Sequence, residues 1–245
     1  MTSNRYALID GIRGLALVNM VLYHAIWDLV YLYGFDWQWY QGTLGTIWQQ
    51  AICWTFILVS GFCLPLSHHP LQRGVEVSLA GLAVTCVTLV LMPQALIVFG
   101  VLTLIGACML ILSVMRPLLE RLAKAAPGMT VGCFMLFLVT KHLQEGWIGL
   151  LAWRITLDPS LYANLFTTFL GFPAPGFYSA DYFPLVPWIF LFAAGCFLYH
   201  WLKASGSLGL FVRGFCPVLE WAGRHSLWIY LLHQPVITVL LSMAL

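Results

Sequence analysis

Charge is what this chain has least of. Asp, Glu, Lys and Arg together supply 8% of its 245 residues, where a soluble domain carries about 25%. That shortage excludes a water-soluble globule, and a net charge of +2 offers no basic surface for nucleic acid. Several chemical signatures are missing as well: a glycine-rich phosphate loop, paired Cys/His zinc spacing, and the Gly-x-Ser-x-Gly turn of a serine nucleophile. No internal repeat, low-complexity tract or soluble domain interrupts the chain. The seven cysteines (Cys53, Cys63, Cys86, Cys108, Cys133, Cys196 and Cys216) lie in or beside apolar segments without metal spacing. They are expected to be reduced, buried and not ligands, and no metal is expected.

What is abundant is apolar: hydrophobic residues make 61% of the chain and the mean hydropathy is +0.89. A helix needs about 20 apolar residues to cross a bilayer. Runs of that kind fall at 8–31, 44–66, 75–92, 95–115, 129–143, 185–202 and 218–241. The expected fold is therefore an all-α, polytopic transmembrane bundle of about seven spans, with 1–245 forming a single domain. Pro93-Gln94 reads as a hairpin between the third and fourth spans, because proline cannot continue the helix ladder. The first run is too long for a cleavable signal peptide, lacks a basic leader and carries charge. A cytosolic N-terminus puts eight cations on the inside: Arg5, Arg73, Arg116, Arg121, Lys124, Lys203, Arg213 and Arg224. Only Lys141 and Arg154 fall outside, and Arg13 is embedded. The segments 147–157 and 161–172 are expected to be re-entrant or interfacial on the outer face, and 173–182, rich in Pro, Gly and aromatics, an outer lid. A multi-pass protein of the cell membrane is the resulting expectation.

The first span holds charge that a membrane helix should not have. With about 100° per residue and Asp10 as zero, Arg13 falls near −60°, His24 near −40° and Asp28 near 0°, while Asn19 falls on the opposite side. Each ionisable group at the bilayer centre costs about 2.5–3.5 kcal/mol or more, so such a stripe faces protein or a wet cavity. Arg13 and His24 are about three turns, or 16 Å, apart along the axis, too far to touch. Asp10 and Arg13, at i and i+3, can pair. His24 and Asp28, at i and i+4, can hydrogen-bond, and the carboxylate would then orient the ring and raise its basicity. His24, Asp28 and Asp10 are the candidate catalytic groups. A structural network that locks helices together is the other reading of the stripe.

The last span carries Ser226, Tyr230 and His233 on one face, followed by Gln234-Pro235. A single histidine there serves either as a satisfied core residue or as a site group. Arg224, His225 and Ser226 near the span's start add donors. Asp181 precedes a proline-started helix and either caps it or recognises substrate, together with Tyr182 and Trp188. The basic loops around Arg73 and Arg116–Lys124 mark the inside face and can also hold an anion.

Four blocks of sequence resemble the transmembrane acyltransferases, the superfamily of the acyltransferase-3 enzymes and heparan-α-glucosaminide N-acetyltransferase. They are Arg13 and His24 within and after Ile9-Asp10-Gly11-Ile12-Arg13-Gly14-Leu15-Ala16; Phe99-Gly100-Val101-Leu102; Asp181-Tyr182-Phe183-Pro184-Leu185-Val186-Pro187-Trp188; and Gly223 through Pro235. The closer likeness is to the short bacterial branch, the DUF1624 proteins. The resemblance implies an acyl group, usually acetyl, moved from cytosolic acyl-coenzyme A to a hydroxyl or amine of a glycan or similar acceptor on the outer face. It implies His24 as catalyst and Arg13 as a coenzyme contact. Arg73, Arg116, Arg121, Lys124, Arg224, His225 and Ser226 are the further candidates for the coenzyme. Asp181, Tyr182, Trp188, His233 and Gln234 are the candidates for the acceptor. One departure is Thr103, where the resemblance leads us to expect a histidine. Direct transfer and an acyl-histidine intermediate both remain open. A transporter using the Asp10-Arg13-His24-Asp28 stripe is the alternative function, although no inverted repeat is visible. Expected partners are acyl-coenzyme A, a small acceptor and the lipid bilayer, and pairing of two copies is compatible with an enzyme of this size.

Overall fold

The computed structural model describes residues 6–245, so Arg5 lies outside the described residues. Helix dominates, as the composition requires. Six helices are long and apolar enough to cross a membrane: Ala7–Tyr31, Thr43–Leu66, Pro70–Leu91, Arg116–Glu145, Leu185–Ala204 and Ser226–Ala244. A seventh apolar helix, Val101–Val114, is shorter. All seven expected apolar segments are thus helical, and two have different limits.

The chain divides into two compact units. One comprises residues up to Val59 together with Ser205–Leu245, and the other Ser60–Ala204. In the first unit, α1 (Ala7–Tyr31) is followed by the single turn α2 (Gln38–Gln41) and by α3 (Thr43–Cys63), which continues into the second unit. The unit closes with α10 (Pro217–Arg224) and α11 (Ser226–Ala244). The expected last span, 218–241, is therefore broken at His225, whose Nδ1 turns back to the Trp221 carbonyl at 2.9 Å. In lipid there is no hydrophobic drive between helices, so close backbone approach and van der Waals packing hold them. α1 and α10 meet in this way. A Cβ on Gly14 would lie 1.8 Å from the Leu219 oxygen, and one on Gly223 would lie 1.9 Å from the Asp10 oxygen. Leu17, Met20, Ile52 and Ala222 form the core beside this crossing. On the far face of α1, Asn19 accepts a hydrogen bond from Trp48 Nε1 of α3 at 3.0 Å.

In the second unit, α4 (Pro70–Leu91) and α5 (Val101–Val114) pack antiparallel. Gly74 meets Leu110, Ser78 meets Gly106, and Gly81 meets Thr103. The expected span 95–115 loses its first turn: 96–100 is not helical and α5 starts at Val101. Irregular backbone at this depth requires partners for its N–H and C=O groups. Ile97 N–H goes to Thr88 Oγ1 at 3.1 Å and Val98 N–H to Ser179 Oγ at 3.0 Å. The Leu96 and Phe99 carbonyls accept from Ala180 and Phe183, each at 2.9 Å. After α6 (Arg116–Leu122), α7 (Ala126–Thr140) runs against α9 (Leu185–Ala204), whose Leu191, Phe192, Ala194, Cys196 and Phe197 are nearly fully buried. Between them lie an antiparallel hairpin, β1 (Trp147–Leu150) with β2 (Trp153–Thr156), and α8 (Leu165–Leu170), which Asn164 and Thr167 close with a capping box. The segments 147–157 and 161–172 thus contain no spanning helix. The hairpin, with Trp147 opposite Thr156, is the one β element among the described residues.

Candidate functional site

The stripe on α1 lies on the helix's inward side. Asp28 is fully buried and Asp10 is 9% exposed, while Leu15 and Leu22 on the other side are exposed. Asp10 and Arg13 form the expected pair, at 4.0 Å. Gly223 docks on the Asp10 carbonyl, so Arg224, His225 and Ser226 follow directly after the contact with the turn that carries Asp10 and Arg13. Arg224 and His225 themselves are exposed.

Two turns before its C-terminal end, α1 meets α11. The ring of His24 lies 4.8 Å from the ring of His233, tilted by 58°. Gln234 Nε2 donates to both oxygens of Asp28, at 2.8 and 3.0 Å. The expected bond between His24 and Asp28 is not formed among the described residues. The i, i+4 spacing makes it geometrically available, but the Gln234 amide takes both carboxylate oxygens and holds the Asp28 head on α11. His233 is held in turn, because its Nδ1 bonds the Tyr230 carbonyl. Pro235 follows within the helix and withholds an N–H from the ladder. The spacing reading found the faces of α1 and α11. It missed the link between Asp28 and Gln234, because no local window joins residues so far apart.

A second group of residues assembles within the other unit. Asp181 Oδ2 accepts from Val101 N–H, the first residue of α5, at 3.4 Å. Asp181 thus serves the start of α5, a helix other than the proline-started one it was expected to cap. Tyr182 donates its hydroxyl to the Thr168 carbonyl, and its ring packs on Phe177. Burial and the neighbouring Tyr162 push the Tyr182 phenol up from its ordinary range. Trp188 is 6% exposed, lies between Phe137 and Phe183, and has no partner for its indole N–H among the described residues. Two of the sequence blocks, 99–102 and 181–188, therefore meet here. Thr103 sits one turn further on, with its hydroxyl 2.7 Å from where a Cβ on Gly81 would be. A histidine in its place would meet the backbone of α4.

The antiparallel course of α4 and α5 puts Arg73 and Arg116 at one end of the second unit and 96–100 at the other. A cleft of about 430 Å³ at the basic end is lined by His68, His69, Pro70, Leu71, Gln72, Ser113 and Arg116. Arg116 is also paired with Glu120 at 2.8 Å. Arg73, Arg121 and Lys124 are exposed nearby in sequence and do not line the cleft. Nothing in the sequence pattern marks His68 and His69, which the fold brings beside Ser113 and Arg116. No group of three or more metal-ligating side chains occurs among the described residues.

The family model described as heparan-alpha-glucosaminide N-acetyltransferase, catalytic, matches residues 5–235. No curated protein and no solved structure matches the chain.

Proposed function

This chain belongs to the heparan-alpha-glucosaminide N-acetyltransferase catalytic family, and from that premise we propose that it transfers an acetyl group from cytosolic acetyl-coenzyme A to an amine or hydroxyl of a glycan-like acceptor on the outer face of the cell membrane. It is an integral membrane enzyme of the acetyltransferase kind. The observation that carries the finer reading is the buried pairing of α1 with α11, where His24 lies beside His233 and Asp28 is bound by Gln234. First and last sequence blocks thus supply one cluster.

In the proposed reaction His24 is the general base. The acceptor nitrogen or oxygen bonds to the thioester carbonyl carbon, and its proton passes to the imidazole. The carbon–sulfur bond then breaks, and the imidazolium returns the proton to the leaving thiolate. General base catalysis of this kind contributes about 10²–10⁴-fold in rate. The acyl-histidine route uses the same residue: the ring nitrogen takes the acyl group as the thiolate leaves, and the acceptor then removes it. Asp10 holds Arg13, whose planar fork suits a coenzyme phosphate. Arg73, Arg116, Arg121, Lys124, Arg224, His225 and Ser226 are further coenzyme contacts, and Asp181, Tyr182 and Trp188 serve the acceptor side. Residues 1–245 serve as one catalytic domain, with a homodimer as the assembled form.

The test is transfer by purified protein in liposomes, with labelled acetyl-coenzyme A inside and glucosamine outside. Acetylated glucosamine in the outer solution is the expected product. Coenzyme binding by calorimetry without any transfer to amine or hydroxyl probes would remove the enzyme reading.

A further inference from the structure

Two hydrogen-bonding atoms on α11 are sealed from solvent and have no partner among the described residues: Nε2 of His233 and Oε1 of Gln234. Neighbours make both of them acceptors. The Tyr230 carbonyl takes the Nδ1–H of His233, which leaves the lone pair of the neutral ring on Nε2. The Asp28 carboxylate takes the Gln234 amide N–H groups, which leaves the oxygen as the free end. Buried polar atoms are almost always satisfied. Two unsatisfied acceptors on consecutive residues, one of them on the ring that faces His24, are matched by a group that brings hydrogen.

We propose that His233 Nε2 and Gln234 Oε1 form an acceptor-only seat for the N–H or O–H of the group to be acylated, and that Asp28 is the positioning residue that keeps the Gln234 oxygen turned toward it. The proposal rests on the acyl-transfer reading above. The seat selects by chemical sense. A primary amine brings two hydrogens and fills both atoms, a hydroxyl brings one and fills one of them, and a carboxylate, phosphate or thioether brings none and leaves both unpaired. Sites built to bind a substrate hydrogen discriminate strongly against analogues that lack it. Asp28, read from the helix spacing as the partner of His24, thereby acts on the acceptor side through Gln234.

The experiment uses the full-length protein in liposomes with acetyl-coenzyme A as donor and glucosamine as the acceptor probe. Gln234→Leu should raise the KM for glucosamine about tenfold or more and leave the KM for acetyl-coenzyme A unchanged. Asp28→Asn should give the same split in weaker form, because the amide is then free to turn. Combining Asp28→Asn with Gln234→Glu exchanges donor and acceptor across the pair. The new amide at 28 donates to the new carboxylate at 234, whose second oxygen again faces the seat, so the glucosamine KM should fall back toward the wild-type value. A glucosamine KM unmoved by Gln234→Leu, or an equal rise in both KM values, overturns the seat. A second readout does not depend on turnover. In ¹⁵N-histidine spectra His233 should carry its proton on Nδ1, and its Nε2 resonance should move when glucosamine is added. A proton on Nε2 in the free protein overturns the proposal. If the wild type acetylates nothing, the acyl-transfer reading fails, and the ¹⁵N spectra still decide whether the seat exists.

Discussion

At the scale of single residues, His24 and Arg13 make separable demands. His24→Gln keeps a hydrogen-bonding side chain and loses basicity, so transfer should fall by about 10²-fold or more with coenzyme affinity intact by calorimetry. Full activity in that variant would move the base to His233, whose ring is 4.8 Å away. Arg13→Ala should weaken coenzyme binding more than Arg116→Ala does. Arg116 is exposed and already paired with Glu120, and such surface groups contribute about 0–1 kcal/mol. Equal losses in the two variants would place the coenzyme phosphates at the cleft lined by His68, His69 and Arg116. The facing of these residues was legible in the sequence, because a period of about 3.6 residues fixes which side chains share a side. Their partners were not. Asp28 has His24 within reach and bonds Gln234 instead, a choice made by tertiary placement.

At the scale of elements, the α1–α10 crossing and the 96–100 segment are the points of least tolerance. Gly14→Ala puts a methyl group where the Leu219 oxygen stands. Overpacking of this kind costs about 1–3 kcal/mol, so the thermal midpoint in detergent should drop clearly, and Gly128→Ala, where nothing lies nearby, should leave it unchanged. Asp181→Ala removes the acceptor of Val101 N–H. A lost cap costs about 1 kcal/mol, and a larger effect on glucosamine KM than on stability would add a substrate role to the structural one. The two element-level surprises have different causes. Residues 96–100 are as apolar as a helix, but their backbone groups bond to Ser179, Ala180 and Phe183, some 80 residues on. The hairpin at Trp147–Thr156 is a local pairing, and it hides because Trp-Ile-Gly-Leu-Leu-Ala-Trp-Arg-Ile-Thr reads as an apolar run with no clean alternation to betray strands.

At the scale of the whole molecule, orientation is the property to measure. Arg73 and Arg116 lie at the same end of the α4–α5 pair, and seven apolar helices cross if α5 counts as a span. The N-terminus should then be cytosolic and the C-terminus external, which reporter tags at the two ends would resolve in intact cells. Tags on the same side would mean that one apolar helix does not cross, and α5, with 14 residues, is the first to doubt. Fold class and the number of apolar segments were legible because lipid leaves so few solutions for backbone hydrogen bonding. The break at His225 was not, because Glu220, Arg224, His225 and Ser226 read as the polar entrance of one span when they mark the joint between two helices.

The proline inside α11 has a consequence for how this enzyme could be improved. Pro235 stands immediately after His233 and Gln234 and deprives the Leu231 carbonyl of its helical partner; in an ordinary helix interior such a residue is disfavoured by about 3 kcal/mol. The stretch that bears the proposed seat thus lacks one rung of its helix ladder. Selection for heat resistance should discover Pro235→Ala readily, since it returns an N–H to the ladder. The winners of such a selection should melt later and turn over more slowly, and a directed-evolution campaign that scored survival alone would mistake that exchange for progress.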